Sequence, residues 1–240
     1  MTLYRGTAPI IAVYRGATPI TAIYRGTVPL WSPDTAGDDF NGAAGPLALP
    51  TWADINASVY KLGIEDGRAR VLIPDGLLGG FWDFNTSTFR YALSVNPGNN
   101  GYVEARLATQ GDSSSITSLS GYVTDVWNRG NNLGSTHTHG VGFRAIGGQV
   151  QLCSVIGSVV AARDDPVPFQ SGAICRVSSV GNIHTQLLNG KAVGEWNDSG
   201  GLAQQGTNYR SLIITGQGAK DFLGPRRFSP ALDYVKMGPL

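Results

Sequence analysis

A ten-residue unit written three times in register opens this chain and restricts its fold more than any other feature. Leu3-Tyr4-Arg5-Gly6-Thr7-Ala8-Pro9-Ile10 returns as Val13-Tyr14-Arg15-Gly16-Ala17-Thr18-Pro19-Ile20 and again as Ile23-Tyr24-Arg25-Gly26-Thr27-Val28-Pro29-Leu30. Pro9, Pro19 and Pro29 exclude a helix, because each removes an amide donor and pushes the residue before it to extended geometry. Each unit reads as an extended run ending at Gly, a bend over Gly-x-x-Pro, and a second extended run. Between bends Ile10, Ala12 and Tyr14 share one face while Ile11, Val13 and Arg15 share the other, so both faces are partly apolar.

Thirty such residues cannot enclose a core, and an isolated hairpin is at best marginal in water. The arm is therefore expected to gain order by lying on its own body, a sister subunit or another partner. Tyr4, Arg5, Pro9, Tyr14, Arg15, Pro19, Tyr24, Arg25 and Pro29 are the expected partner-binding residues. Tyrosine supplies apolar area with a polar tip, and arginine meets acids or carbonyls. A plain spacer has no reason to repeat either residue in register.

The arm carries a charge of +3 and the remaining residues −2, for a total of +1. Nothing in that balance suggests a nucleic-acid partner. No run approaches the ~18 continuous apolar residues of a membrane helix, so no membrane insertion is expected. A basic segment followed by an apolar stretch and a small-residue cleavage site is missing at the start, and no secretory signal is expected. Cys153 and Cys175 make neither a disulfide framework nor a CxxC metal motif and read as buried thiols.

Residues 31–37 read as a linker and residues 38–240 as one body. Charged residues are 15% of the chain, against about a quarter in an average domain, while Gly (33) and Pro (13) are abundant. That composition argues against a helical bundle and leaves a turn-rich all-β fold. Expected strands are 57–62, 68–72, 91–95, 101–107, 120–126, 140–145, 149–155, 159–162, 173–180, 183–188, 209–215 and 231–237. Asn189-Gly190 between apolar runs is the strongest hairpin signal. Ten or more antiparallel strands at this spacing point to a two-sheet jelly roll.

Asp38-Asp39-Phe40-Asn41-Gly42-Ala43-Ala44-Gly45-Pro46-Leu47, followed by Trp52, resembles the opening of the concanavalin-like jelly-roll domain in minor tail proteins of phages that infect actinobacteria. Gly142-Phe143-Arg144, Leu188-Asn189-Gly190-Lys191 followed by Asp198-Ser199, and Tyr234-Val235 fit later parts of that domain, and the repeats resemble those that precede it. Where that family carries Arg-Ala-Asp this chain has Gly42-Ala43-Ala44. The resemblance implies a concanavalin-like two-sheet sandwich behind an extended β-repeat arm. It also implies a structural virion protein, made in the host cytoplasm and placed in the tail, that contacts other virion proteins as a homo-oligomer, with a trimer favoured. A host-envelope glycan receptor and a capsid decoration protein are the alternatives.

Catalysis is not expected from the residues. Retaining glycoside hydrolysis needs two carboxyls about 5–5.5 Å apart, an i, i+2 pair on one strand face. Glu65, Glu104 and Glu195 form no such pair, no Gly-x-Ser-x-Gly elbow occurs, and no cofactor motif is present. His137 and His139 share a face if extended, a spacing able to ligate a metal, but read as polar loop residues. His184 reads as half-buried on a strand. Asp38-Asp39 and Asp164-Asp165 read as solvated turns rather than calcium ligands. Arg226-Arg227 is expected to balance acids on a neighbouring loop. If a glycan is bound, Trp82, Trp127 and Trp196 are the stacking candidates, although core or interface packing is the stronger reading of each.

Overall fold

The computed structural model describes residues 36–76, 84–112, 121–221 and 223–240 in full, and the backbone of six short strands among residues 1–35. These are β1 (Tyr4–Arg5), β2 (Ala8–Pro9), β3 (Val13–Arg15), β4 (Thr18–Ile20), β5 (Ile23–Arg25) and β6 (Val28–Trp31). Each repeat is one antiparallel hairpin with the same register. Tyr4 faces Pro9 and Arg5 faces Ala8; Tyr14 faces Pro19 and Arg15 faces Thr18; Tyr24 faces Pro29 and Arg25 faces Val28. The expected bend over Gly-x-x-Pro is thus shorter than the sequence suggested, because the proline lies in the return strand. The side chains of the nine expected arm contacts lie outside the described residues.

The body begins with β7 (Ala36–Asp38), β8 (Gly45–Pro46), β9 (Trp52–Asp54), β10 (Leu62–Glu65), β11 (Arg68–Val71), β12 (Asn85–Tyr91) and β13 (Gly101–Leu107). It continues with β14 (Val123–Asn131), β15 (His139–Ile146), β16 (Gln149–Ile156), β17 (Val159–Ala162) and β18 (Val167–Pro168). The last strands are β19 (Ile174–Val180), β20 (Ile183–Leu188), β21 (Lys191–Asn197), β22 (Tyr209–Lys220), β23 (Arg226–Phe228) and β24 (Leu232–Pro239). No helix occurs among the described residues.

Two nine-stranded sheets pack face to face. The first has the order β21-β20-β19-β13-β24-β11-β10-β8 with β7 on β24; the second has β17-β16-β15-β14-β22-β12-β9 with β18 on β16 and β23 on β22. Pairing is antiparallel in the ladders, for instance β13 with β24 and β14 with β15. This is the concanavalin-like jelly roll expected from the sequence. Trp31 closes the third hairpin and Gly37 pairs with Lys236, so the first sheet starts before Asp38.

Alternation along the strands builds the core. Val103, Ala105, Cys175, Val177, Val235 and Met237 point inward from the first sheet and meet Val126, Phe143, Leu152 and Ile214 from the second, all buried in one cluster. Both cysteines are free and buried. Several boundaries differ from expectation: 57–61 is not strand, and the expected 91–95 strand is instead β12, ending at Tyr91. The Asn189-Gly190 turn behaves as expected, with φ of 51° and 79° between the paired Leu188 and Lys191. A two-residue loop with both φ positive matches the strand twist. Gly190→Ala is therefore expected to cost about 1 kcal/mol in urea unfolding, because an added Cβ disfavours that φ, with nothing nearby for the Cβ to strike.

Candidate functional site

The outer face of the second sheet carries the densest chemistry. In β14, Val126 points into the core, so Val123, Asp125 and Trp127 point out. Register then sets their neighbours. Thr88, Thr215, Asp125, Arg144 and Gln151 form one row across β12, β22, β14, β15 and β16. The next row brings Ile213, Trp127, Gly142 and Cys153 together. Ile55, Trp127, Cys153, Val155 and Ile213 make a second buried apolar cluster there, separate from the core.

Asp125 is 3% exposed. Arg144 grips it bidentately, Nε to Oδ1 at 2.8 Å and Nη2 to Oδ2 at 2.9 Å. Burial works against the Arg144 charge, yet the two hydrogen bonds and the Asp125 charge raise its pKa above the ordinary value. Thr88 and Thr215 share a hydroxyl hydrogen bond of 3.1 Å beside the pair. The same-face neighbours of Asp125 along β14 are Val123 and Trp127, so a second carboxylate does not stand two residues away on either side.

A pocket of about 320 Å³ opens at the end of this face, lined by Asn131, Leu133, Thr136, Thr138, Asn208 and Tyr209. The strand register shifts between Trp127 and Asn131, and Arg129 there has φ of 53°. That bulge turns the chain into the loop, which Asn131 secures by donating to the carbonyls of Leu133 and Thr136 and accepting from the Thr138 amide. Arg90 donates to the Gly134 carbonyl at 3.0 Å.

The histidines do not converge as a ligand pair. His137 lies on Trp127 with centroids 5.4 Å apart and its Nε2 contacts the His139 carbonyl, whereas His139 meets Tyr209 edge-on at 5.3 Å. Burial lowers the His137 pKa to about 4, despite a backbone hydrogen bond that favours the charged form. No group of three or more metal-ligating side chains assembles among the described residues. His184, expected half-buried, is fully buried. It projects between the sheets, stacks on Trp196 at 5.0 Å and hydrogen-bonds Ser179 through Nδ1.

Trp127 and Trp196 pack rather than offer open faces, in line with the stronger of their two readings. Trp127 is 0% exposed beneath His137 and offers no open stacking surface. Trp196 is held between His184 and the Arg163 guanidinium, which sits 4.3 Å from its ring. Trp82 lies outside the described residues. The acids are also partnered: Glu65 binds Arg70 and Arg226, Glu104 binds Arg176, and Asp198 accepts the amides of Leu202 and Ala203. Arg226 and Arg227 meet acids as expected, the first at Glu65 and the second at Asp221 and Asp112. Sequence reasoning missed Asp125, Arg144 and Tyr209. An acid inside the apolar run Tyr122–Trp127 was the available signal.

No family model matches this sequence, and no curated protein matches it at a significant level. Solved structures do match in fold, and they define the class: a concanavalin-like jelly roll of the kind found in glycan hydrolases. A structure described with endo-acting O-glycanases of human gut microbiota matches with a TM-score of 0.54 at 13% identity, over 85% of this chain and 98% of that one. A β-1,3-1,4-glucanase from a mouse hindgut metagenome matches with 0.53 at 12% identity, over 86% and 99%. A Bacillus licheniformis β-glucanase matches with 0.51 at 10% identity, over 86% and 98%. At such identities the likeness is one of fold. It nevertheless corrects the expectation that the chain is not an enzyme. The lack of an i, i+2 carboxylate pair among Glu65, Glu104 and Glu195 carried that expectation, and the three structures above, which share this architecture over most of its length, are described as glycanases or glucanases.

Proposed function

We propose that this chain is a virion component, a minor tail protein of a phage of actinobacteria, which docks through its repeat arm and turns its jelly roll toward glycans of the host envelope. The observation that carries the reading is the arm: three two-stranded hairpins in which the Tyr–Pro and Arg pairs recur in the same register, the third adding a bulge between Ile23 and Tyr24. A two-stranded hairpin is marginal alone and gains stability by lying on a surface. Regular spacing of Tyr and Arg suits a regular protein lattice, and symmetric copies of one chain, three in the favoured assembly, would present such a surface to each other. The glycan part is supported by the architecture shared with the O-glycanase and glucanase structures.

Immunogold labelling of intact particles tests the placement: label on the tail supports the reading, and label on the head makes the chain a capsid decoration protein. A chain lacking residues 1–30 is expected to melt cooperatively as a β-sandwich yet to be absent from particles. Incorporation at normal occupancy would refute the anchoring role. The glycan part is read by incubating the full chain with actinobacterial cell-wall polysaccharide and with mixed-linkage β-glucan. Retention on immobilised polysaccharide is expected, and new reducing ends would add turnover to binding.

A further inference from the structure

The outer face of the first sheet, on the opposite side of the sandwich from Asp125, has a chemistry of its own. Alternation sends Tyr102, Glu104 and Arg106 outward from β13, since Val103, Ala105 and Leu107 are buried in the core. Across the ladder Leu187, Arg176, Glu104 and Lys236 form one row, and Ile174, Arg106 and Tyr234 form the next. Glu104 stands at the centre. It accepts from Arg176 Nε at 2.8 Å and Nη2 at 2.6 Å, and from the Tyr234 hydroxyl at 2.9 Å. Burial and the Glu104 carboxylate raise the Tyr234 pKa, so the phenol keeps its proton. Two more contacts tie cations to rings: Arg176 lies 4.1 Å from the Tyr102 ring and Lys236 lies 4.5 Å from the Tyr234 ring.

Two cavities flank this centre. One, of about 500 Å³, lies at the edge of the first sheet, between Asp38, Asp39, Tyr234 and Lys236 on or beside β7 and β24 and Tyr91 and Leu93 at the end of β12 in the second sheet. The other, of about 430 Å³, is lined by Glu104, Ile174, Arg176, Leu187, Asn189 and Gly190. Because Tyr234 lines the first and Glu104 the second, their hydrogen bond is the saddle between them. Volumes of this size suit small organic ligands.

We propose that these cavities form one saccharide-binding groove running across β20, β19, β13, β24 and β7. This rests on the glycan-engaging reading above and gives it a face of the molecule. Three features select the ligand. The aliphatic Leu93, Leu187 and Ile174 offer apolar contact to the C–H face of a sugar, while the Asp39 and Glu104 carboxylates, the Lys236 ammonium and the Asn189 amide offer partners for its hydroxyls. Charges nearly cancel, with Asp38, Asp39 and Glu104 against Arg176 and Lys236, which favours a neutral ligand. Five adjacent strands at a spacing of about 4.8 Å span about 19 Å, so the groove takes an oligosaccharide rather than a single sugar.

Native gels cast with actinobacterial cell-wall polysaccharide or mixed-linkage β-glucan test the groove with the full chain. The unsubstituted protein is expected to be retarded by one of them. Leu93→Ala/Lys236→Ala is expected to weaken that retardation at least tenfold, while Val159→Ala, on β17 at the edge of the second sheet, leaves it unchanged. Thermal melts verify that each variant is folded; Leu93 is 57% exposed and Val159 67%, so neither supports the core. Undiminished retardation of the Leu93/Lys236 variant overturns the groove while the glycan reading stands, and so does equal weakening by both variants. No retardation of the unsubstituted chain by either polysaccharide overturns the glycan reading and the groove with it.

Discussion

Lowering the pH from 6.5 to about 4.5 is expected to reduce the unfolding free energy by about 2 kcal/mol through His184. Burial, reinforced by the positive charge of Arg129 and opposed by Asp198, lowers the pKa of His184 from 6.5 to about 4. A histidine that binds its proton more weakly folded than unfolded leaves stability intact above 6.5, and stability falls as pH drops toward the folded-state value. Its Nε2 is buried without a partner among the described residues, so protonation there meets no acceptor among them. His137, lowered to about 4 by burial, adds in the same window. Urea unfolding at pH 7.5, 5.5 and 4.5 reads the effect. His184→Gln should flatten the slope, and a slope identical to the parent would refute the assignment.

The second large effect is expected at Asp125. Truncation in Asp125→Ala leaves the Arg144 guanidinium, whose side chain is only 29% exposed, without its carboxylate. Breaking a buried ion pair from one side costs about 3–5 kcal/mol, whereas replacing both partners with apolar residues is often close to neutral. Asp125→Leu/Arg144→Met is therefore expected to recover most of the loss. Equal destabilisation by the single and the double variant would show that shape rather than charge holds that row together.

Much of the fold was legible because its signals are local. Gly101–Leu107, Val159–Ala162 and Ile183–Leu188 alternate or carry β-branched residues between clear turns, and the structure has strands at those bounds. Asn189-Gly190 encodes its own turn through two positive φ values. The strand expected at 91–95 moved to Asn85–Tyr91 because Asn-Thr-Ser-Thr looks like loop and becomes strand only between β22 and β9, where cross-strand pairing outweighs propensity. Leu93 and Val95, apolar yet exposed, drew the reading too far along the chain.

The candidate site was less legible because its parts are remote. Asp125 meets Arg144 after a chain reversal and Thr88 through β22, and no spacing rule joins those positions. Packing was the stronger reading of Trp127 and Trp196, but the side chains that cover them, His137 on one and Arg163 on the other, come from the fold. Burial of an aromatic depends on what arrives above it, which sequence alone does not record.

Sequence by itself determined the all-β character, the three-hairpin arm and the two-sheet architecture, because proline, glycine and period-two alternation act within a few residues of themselves. Only the tertiary structure decided which polar groups are neighbours. It set Asp125 against Arg144, sealed His184 between the sheets, and aligned Glu104 with Tyr234 between two cavities. Each of those outcomes depends on the register between strands far apart in the chain. A shift of one residue would turn every one of those side chains to the other face.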